Sequence, residues 1–533
     1  MKQASTRLAY RDTGYFSRII TDYLDQADTL RSFYADWPDA EGIRAAIKKR
    51  KAVPVDRRLL VAALQKQYEG ISITAATQAN IDLLGDETTF TVTTAHQNNI
   101  FTGPLYFIYK ILHAIRLADS LTTLYDGYRF VPVYYIGSED ADLAELNHIR
   151  LDGEKLVWET RQTGAVGRMK VDKELLQLVD RAEGRLAIYP SGQEFVRMLR
   201  EAYAAGTDIQ QATLHVVNAL FGEMGLVVLA PDNAVLKAKM TAVFEDDLFH
   251  HTPAAIVRQA SAHLQEQGYK DQAYARDINL FYLNGDMRER IEKTGDTFSV
   301  VNTDIHFTAE GLKQELKSHP ERFSPNVILR GLYQCSILPD VAFIGGGGEL
   351  AYWLQLHRLF EHYHIPFPVL VLRNSFLLLE EREALLAEKL HISGSNFFLP
   401  ENKLLEQMVI AQQGEAVLLN GELAHISNLY DGLAKRAGNI DATLVKHVAA
   451  LKKKSTDRLQ QLEKKMIRAE KRKLADQRRQ LQTLRAKTFP GNNLQERTDN
   501  IGYYYAKYGA SFIQELYRHS AALEQQFTII SLL

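Results

Sequence analysis

The sequence predicts an α/β protein with one interrupted parallel-sheet core, an insertion and a long helical arm. Three observations carry this prediction. Short β-branched or apolar runs alternate with helical patterns up to about residue 378, and a stretch at 151–205 interrupts that alternation. From 379 to 488 the composition shifts to Leu, Glu, Lys, Arg and Gln. The length of 533 residues agrees with roughly two to four structural units.

Composition and charge exclude several classes of protein. A chain that is 46% hydrophobic and 24% charged is typical of a globular protein, not of a disordered one. The net charge of −2 gives no overall reason to expect a nucleic-acid or membrane-surface protein. The single cysteine, Cys335, excludes an intrachain disulfide and a multi-thiolate zinc site. Because no signal-peptide pattern or 18-residue uncharged apolar run occurs, we expect a cytoplasmic protein without a membrane partner.

The first unit of the predicted sheet is a strand, a helix and a strand. The runs TTFTVTTA (88–95) and FVPVYYIG (130–137) have strand composition, and apolar residues recur at helical spacing through 105–115. Two strands joined by one helix pair in parallel with a right-handed crossover. The first 85 residues look helical and carry no motif that we can name.

Further elements are predicted along the chain. Strands are expected at 224–232, 327–331, 341–348 and 366–375, and the Asn-Gly and Thr-Gly pairs within 280–300 indicate a small β-meander. In the 151–205 insertion, the LVW and MKV runs around TGAVG suggest a hairpin, followed by a helix from about 193.

The helical arm has coiled-coil spacing. Leucines and other apolar residues step by threes and fours from 444 to 484, with stutters near 455 and 470 and without Pro or Gly between Ile440 and Phe489. This pattern predicts one helix of roughly 45 residues, about 68 Å long. We expect residues 416–438 to fold back through 437–439 as its antiparallel partner.

The arm is strongly basic. Residues 451–487 hold 14 Lys and Arg against 4 Asp and Glu, a net charge of +10. Such a helix can bind nucleic acid, or it can be the solvated surface of a coiled coil. No aromatic side chain lies among these charges to stack on single-stranded bases, so the second interpretation is favoured and nucleic acid is not expected as a partner.

Polar loops follow the first two predicted strands. His96 comes directly after the first strand, and Glu139, Asp140 and Asp142 follow the second. Ligands of open α/β sheets bind where parallel strands end at their carboxyl edge, so these side chains should share one site. The acids have three candidate roles: holding Mg²⁺ with ATP phosphates, binding a substrate ammonium, or acting as a base. Simple helix capping is the alternative for both loops.

Two further features arrive at the same edge. Gly345–Gly348, followed by Glu349, would let phosphates approach the backbone closely, although no Gly-Lys-Ser/Thr or complete GxGxxG motif is present. Arg330 and Arg373 end the runs VILR and PVLVLR and offer carboxylate or phosphate binding. Buried structural ion pairs are the alternative for these two arginines.

Long motifs along nearly the whole chain resemble the bacillithiol biosynthesis cysteine-adding enzyme family. They are TAHQNNIFTGPLYFIYK (94–110), VPVYYIGSEDADLAELNH (131–148), LRGLYQCSILPDVAFIGGGGELAYWLQL (329–356), LVLRNS (370–375) and FPGNNLQERTDNIGYYYAKYG (489–509). The resemblance implies a Rossmann-like parallel-sheet core, a connecting-peptide insertion and a long antiparallel α-helical coiled-coil domain that forms a homodimer. We place the N-terminal helical segment and first half of the core at 1–150, the insertion at 151–205, the second half of the core at 206–378, the coiled coil at 379–488 and a C-terminal segment that packs back on the core at 489–533.

The resemblance also implies an activity. It indicates a ligase that joins L-cysteine to the amine of glucosaminyl malate in the last step of bacillithiol synthesis. An amine does not displace hydroxide from a carboxylate at neutral pH, so we expect ATP to activate the cysteine, with Mg²⁺ as a candidate ion. We assign catalysis to His96, Glu139 and Asp140. Substrate binding is assigned to Gln97, Asn99, Tyr106, Asp142, Arg330, Gln334 and Arg373, and phosphate binding to Gly345, Gly346, Gly347, Gly348 and Glu349.

The sequence departs from the family pattern at Ala95, Ala141 and Gly331, where the family has Gly, His and Pro. The residue equivalent to Ala141 would otherwise be a candidate acid, base or ligand. Two other functions are kept as alternatives: another synthetase-like nucleotidyl-transfer ligase, and a non-catalytic dimeric scaffold that uses its basic arm.

Overall fold

The computed structural model describes residues 5–532 and divides them into two compact units. The larger unit comprises residues 7–377 and 494–530, and the smaller one is formed mainly by residues 378–493. Three strands, Ser5–Leu8, Ser375–Glu380 and Phe527–Leu532, each contribute residues to both units. Among the described residues, no helix has the length and the apolar composition needed to cross a membrane.

A five-stranded parallel sheet forms the centre of the larger unit. In spatial order its strands are Val369–Leu372, Asp340–Gly345, Thr89–Gln97, Arg129–Gly137 and Val227–Leu229. The chain starts in the middle strand, adds two strands on one side, and then crosses over to add two on the other. The order therefore reverses beside Thr89–Gln97, which is where open α/β sheets form a ligand crevice. The predicted Rossmann-like fold class is confirmed.

Helices surround this sheet. Leu105–Leu124 packs on the two strands that it connects, and its Ala114, Leu117 and Ala118 join Val92 and Ile344 in a buried apolar cluster. The other α-helices of the larger unit are Tyr10–Thr13, Arg18–Leu24, Ala40–Ala52, Arg57–Gln67, Ala75–Leu83, Leu143–Leu146, Lys173–Leu186, Gly192–Ala202, Ile209–Phe221, Ala234–Lys237, Thr241–Phe249, Thr252–Glu266, Ala309–Ser318, Val327–Ile337, Gly347–His362, Ile501–Tyr508 and Ala510–His519.

A second, antiparallel sheet confirms the predicted meander and extends it. Leu280–Asn284, Met287–Thr294 and Thr297–Val300 pair in succession. His306–Thr308 and Phe323–Pro325 add one strand at each edge.

The strand predicted at 327–331 is wrong, because these residues begin the helix Val327–Ile337. The Asn326 side chain accepts a hydrogen bond from the Ile328 backbone N–H and so caps the helix. A short apolar run has no periodicity that separates a buried strand from a buried helix, and the capping asparagine was the available signal.

The hairpin predicted around TGAVG is also misplaced. The antiparallel pair in this region is His148–Leu151 with Glu154–Val157. Residues 166–168 form a 3₁₀ turn instead, and the MKV run is not a strand. The helix expected from about 193 is Gly192–Ala202.

The smaller unit is helical, as predicted, and its two longest helices form an antiparallel hairpin. The Leu419 backbone N–H donates to Glu463, and Lys452 pairs with Asp431, which fixes the opposite directions of Asn420–Ile440 and Leu444–Lys473. The other helices of this unit are Glu381–Lys389, Glu401–Val417 and Ala475–Thr488.

Two details of the predicted arm are wrong. The single 45-residue helix is interrupted at Leu474, near one of the stutters in the apolar spacing. The hairpin turn lies after Ile440 and not at 437–439, because the helix continues through Gly438. One glycine costs a helix only about 1 kcal/mol, and packing against the partner helix outweighs that cost.

Candidate active site

A cavity of about 880 Å³ opens at the carboxyl ends of the parallel strands, entirely within the larger unit. Strand ends at Gln97 and Gly137 and the turn after Gly345 supply its floor. Its wall includes the following predicted site residues: His96, Gln97, Tyr106, Glu139, Asp140, Asp142, Arg330, Gly346, Gly347, Gly348, Glu349 and Arg373. The topology therefore brings together polar side chains that lie up to 277 positions apart in the sequence.

His96 lies in the cavity wall against the rings of Tyr106 and Phe107, whose centroids are 5.3 and 5.4 Å from its own. Burial lowers the pKa of His96 well below its usual value, and the positive charges of Lys110 and Arg330 act in the same direction. Among the described residues, its Nε2 atom has no hydrogen-bond partner. His96 is thus a neutral imidazole with one free nitrogen.

Asp140 is held in place by its own loop. Gln97 donates from Nε2 to one carboxylate oxygen at 2.7 Å, and the Asp142 backbone N–H donates to the other at 3.1 Å. Burial raises the pKa of Asp140, but these hydrogen bonds, together with Arg330 and Arg288, outweigh it and lower the pKa. Asp140 is therefore an ionised carboxylate facing the cavity.

Glu139 is almost fully buried and belongs to a chain of alternating charges. The Lys237 ammonium pairs with Glu139 and also contacts Asp232 at 3.3 Å. Arg168 donates two hydrogen bonds, of 2.6 and 2.9 Å, to the Asp232 carboxylate. No local pattern connects Lys237 with Glu139, because 98 residues separate them.

The glycine turn is partly closed by the protein itself. The Gly346 backbone N–H donates to the Glu349 carboxylate at 2.8 Å, and Lys110 pairs with the same carboxylate while donating to the Ala95 carbonyl at 2.7 Å. Gly345 does not line the cavity, since a Cβ there would approach Leu350 Cδ1 to 2.6 Å. Gly347 and Gly348 remain as the open first turn of the helix.

Arg373 reaches the cavity wall but is already paired. Its guanidinium donates to the two carboxylate oxygens of Glu496 at 2.9 and 2.6 Å, and both side chains are buried. The structural ion pair that was the alternative for this arginine is therefore present. Glu496 lies in the motif at 489–509 but was not connected with Arg373, since the two are 123 residues apart.

Arg330, Arg288 and Arg497 line the same cavity without such a partner. Within the described part of the chain, none of the three has a carboxylate within 4 Å. Arg330 donates to the Tyr352 hydroxyl at 3.2 Å, and Arg288 lies over the Phe281 ring and donates from Nε to Ser324. The sequence reasoning missed Arg288 and Arg497, because one lies in the antiparallel sheet and the other beyond the coiled coil.

Two predicted substrate-binding residues lie outside the cavity. Gln334 is buried and donates to Asp340 at 2.8 Å, on the inward face of its helix. Asn99, two residues after the end of the first strand at Gln97, is buried and donates to the Glu145 carbonyl at 3.3 Å. Both were assigned from motif membership, which does not tell on which face of an element a side chain lies.

The departures from the family pattern fall close to this site. The Ala95 carbonyl accepts the hydrogen bond from Lys110, and Ala141 lies between the two aspartates of the acidic loop. Gly331 packs against Trp353, where a Cβ would come within 2.9 Å of the indole. A larger residue at 331 therefore requires a different indole position.

Comparison with known proteins shows to which family this architecture belongs. Residues 3–374 match the family "Bacillithiol biosynthesis BshC, N-terminal Rossmann-like domain", and residues 376–532 match the corresponding C-terminal coiled-coil domain. Proteins named "Putative cysteine ligase BshC" are similar over nearly the full length. One from Cytophaga hutchinsonii is 37% identical over 96% of both chains, one from Flavobacterium johnsoniae is 36% identical over 98% of this chain and 99% of its own, and one from Salinibacter ruber is 30% identical over 98% of both. The family resemblance seen in the motifs is confirmed, and the chain belongs to the bacillithiol biosynthesis BshC family.

Proposed function

We propose that this protein is a ligase that forms the amide bond between the carboxylate of L-cysteine and the amine of glucosaminyl malate. The name of the curated relatives supports a cysteine ligase. The second substrate and the activation step come from the motif resemblance and the chemistry of the site.

One observation carries the proposal: the cavity holds guanidinium groups that no protein carboxylate neutralises at close range. Arg330 and Arg288 flank it, and Arg497 is exposed at its edge. The first two are half-buried, and the carboxylates of Asp140 and Glu349 act on Arg330 only from beyond 4 Å, so a ligand that brings carboxylates into direct contact complements the site. The malate group carries two carboxylates. We assign Arg330 to one of them, while Arg373, already bound to Glu496, shapes the wall beside Tyr106.

The acidic loop supplies the opposite charge. The cysteine ammonium and the attacking amine are both cationic when protonated, and both fit beside Asp140, which is ionised and reaches the cavity. A carboxylate of lowered pKa holds an ammonium well but is a weak base. We therefore assign ammonium binding to Asp140 and removal of the amine proton to Glu139, whose pKa burial raises despite Lys237.

ATP fits this cavity as the activating co-substrate. Gly347 and Gly348 form the open first turn of a 16-residue helix, and Lys110 lies beside it. When bound, ATP supplies the phosphoryl or adenylyl group that makes the cysteine carboxylate reactive. In the tautomer that carries its proton on Nε2, the neutral His96 would donate a hydrogen bond to the negative charge that develops.

Mg²⁺ stays part of the proposal as the companion of ATP. The described residues contain no group of three His, Cys, Asp or Glu side chains arranged to hold a metal ion. The ion would accordingly depend on the phosphates for most of its ligands, and Asp142 is one of two exposed carboxylates in the cavity wall, with Glu145, that are available to it.

The direct test is incubation of the purified protein with ATP, L-cysteine and glucosaminyl malate, followed by mass spectrometry. We expect a product heavier than glucosaminyl malate by one cysteinyl residue, and the nucleotide product, AMP or ADP, identifies the activated species. Absence of the product, together with no binding of either organic substrate, would remove the ligase assignment.

Two alternatives are separated by simple measurements. Another nucleotidyl-transfer ligase would show exchange between ATP and pyrophosphate with a different acyl donor. A polyanion-binding scaffold would bind DNA or RNA in a salt-sensitive way, and charge reversal at 471–473 would abolish that binding. Lys471 pairs with Glu406 and the exposed Lys473 with Glu470, so two of these three cations already have an acidic neighbour within the arm.

We also propose that the coiled coil joins two copies of the chain. The hairpin leaves apolar side chains exposed, namely Leu429, Leu433, Ile440, Leu444, Leu451 and Leu462. Light scattering after size exclusion should give a mass near twice 60.4 kDa. Replacing Leu429 and Leu433 by Glu should return the monomer mass, whereas a wild-type monomer would contradict the assignment.

A further inference from the structure

A buried ion-pair chain leads away from the acidic loop. Glu139 lines the cavity, Lys237 is completely buried behind it, and Asp232 and Arg168 follow. Arg168 and Asp232 in turn line a separate, smaller cavity of about 380 Å³. This series of ion pairs therefore connects the wall of the candidate active site with the smaller cavity.

Lys237 has no donor to spare. Its ammonium contacts the Glu139 carboxylate, Asp232 at 3.3 Å and the Glu321 backbone carbonyl at 2.9 Å. An ammonium has three N–H groups, so these three acceptors satisfy it. A lysine held in this way cannot rotate toward a substrate, and its charge acts through Glu139.

The insertion that interrupts the sheet holds the same loop from the other side. The Gly167 backbone N–H donates to the Ser138 carbonyl at 2.9 Å, and the Val166 N–H donates to the Asp140 carbonyl at 2.8 Å. A Cβ at Gly167 would lie 2.4 Å from the Ser138 carbonyl oxygen, so only glycine permits this approach. Arg168, the next residue, then reaches Asp232.

We propose that Lys237 is a positioning residue that keeps Glu139 ionised and oriented in the cavity wall. The insertion fixes the backbone of the loop, and Lys237 supplies the charge that lets a buried carboxylate remain deprotonated. The inference rests on the proposed ligase function for its kinetic readout only.

The charged and titratable groups around Glu139 come from several elements, and Asp140, the next residue, shares Arg288 with it. Lys237 and Arg288 are the nearby cations, and Asp232 is the opposing anion. The hydroxyl of Ser324 donates to Glu139 at 3.3 Å. Tyr135 and Tyr333 face it from the strand and the helix behind, and burial raises the pKa of both, so they are neutral. Arg168 acts from beyond Asp232.

The experiment is the pH dependence of ligase turnover in Lys237→Met, with Lys239→Met as the matched control. Lys239 lies two residues away, is exposed and pairs with Asp56, so its loss removes a surface charge alone. Without its cation, a buried carboxylate takes up a proton near neutrality. We expect the acid limb of the profile to move upward by about two pH units or more in K237M, and to stay in place in K239M.

Asp232→Asn tests the sign of the effect. This change removes the carboxylate that opposes ionisation of Glu139 and keeps the lysine, so the acid limb should move downward. A limb that stays in place or moves upward in D232N overturns the inference, even where K237M fails to fold. A folded K237M with the wild-type limb overturns it as well.

An infrared measurement decides the inference without the ligase reaction. At pH 7, K237M should show an additional carbonyl band from a protonated carboxyl group that is missing from the wild type, from K239M and from the double variant K237M/E139Q. If the wild type forms no product, the ligase proposal fails while this band still decides the role of Lys237. Absence of the band in folded K237M refutes that role.

Discussion

The positively charged side chains of the cavity wall fall into two groups, which we call the paired side and the open side. On the paired side, Arg373 is bound to Glu496 and Lys110 to Glu349. On the open side, Arg330 and Arg288 have no carboxylate within 4 Å among the described residues. Cations that contact a protein carboxylate stabilise the fold, whereas we propose that cations without such a contact bind the carboxylates of the substrate. In this proposal the same residue type has two functions at one sheet edge.

The largest expected effect is on the paired side. Arg373→Met leaves Glu496 buried and unpaired, which should lower the free energy of unfolding by about 3–5 kcal/mol. Denaturation in urea, followed by circular dichroism, measures this loss. Arg497→Met is the control, because Arg497 neighbours Glu496 in sequence but is exposed, and it should cost little. Equal losses in both variants would contradict the division into two sides.

The paired side should also weaken in acid. His113 is buried, its Nδ1 accepts a hydrogen bond from the Asn374 N–H, and burial lowers its pKa from 6.5 to about 4. Below pH 6.5 the unfolded chain binds a proton that the folded chain refuses, so stability is full above pH 6.5 and falls toward pH 4. The loss from this group is about 3 kcal/mol. Urea titrations at several pH values should give a flatter dependence for His113→Asn, and parallel curves would exclude His113 as the cause.

A smaller effect is expected on the open side, and on function more than on stability. Arg330→Met removes a charged hydrogen bond to a substrate carboxylate, worth about 1.5–3 kcal/mol, so KM for glucosaminyl malate should rise roughly 10- to 100-fold. A glucosaminide with an uncharged aglycone should not distinguish R330M from the wild type. Arg358→Met, an exposed arginine on a neighbouring helix, serves as the control. An unchanged KM in R330M would remove Arg330 from the substrate site.

The smallest effect concerns the support of Arg330. Tyr352→Phe removes the hydroxyl that accepts its hydrogen bond at 3.2 Å. A hydrogen bond of this kind contributes about 0.5–1.5 kcal/mol, so the rise in KM should stay below about tenfold. Steady-state kinetics of Y352F beside R330M measures the difference, and an effect as large as that of R330M would mean that Tyr352 contacts substrate itself.

Much of the core was predictable from local patterns. The strands Thr89–Gln97 and Arg129–Gly137 and the helix between them follow from β-branched and periodic sequence, and their parallel pairing follows from the single crossover. The errors occurred where two structures have the same local pattern. VILR is apolar whether it lies in a strand or a helix, and a stutter in the apolar spacing does not by itself distinguish a continuous coiled-coil helix from one interrupted at Leu474.

The residues that the strand ends contribute to the candidate site were predictable, but the ion pairs that these residues form were not. His96, Asp140 and Arg330 follow from loops and motifs, because strand topology carries them to one edge. Whether an arginine is free or paired depends on a residue from a distant segment. Glu496 neutralises Arg373 from beyond the coiled coil, and no pattern near Arg373 indicates it.

The sequence by itself determined the family, the α/β core, the helical arm and the loops from which the cavity is built. These depend on periodicity and on motif order, both of which are local properties of the chain. Only the tertiary structure decided which charges contact an opposite charge of the protein. Lys237 pairs with Glu139 from 98 residues away, and Glu496 pairs with Arg373 from 123 residues away. Electrostatic pairing depends on distance in space, which sequence separation does not specify.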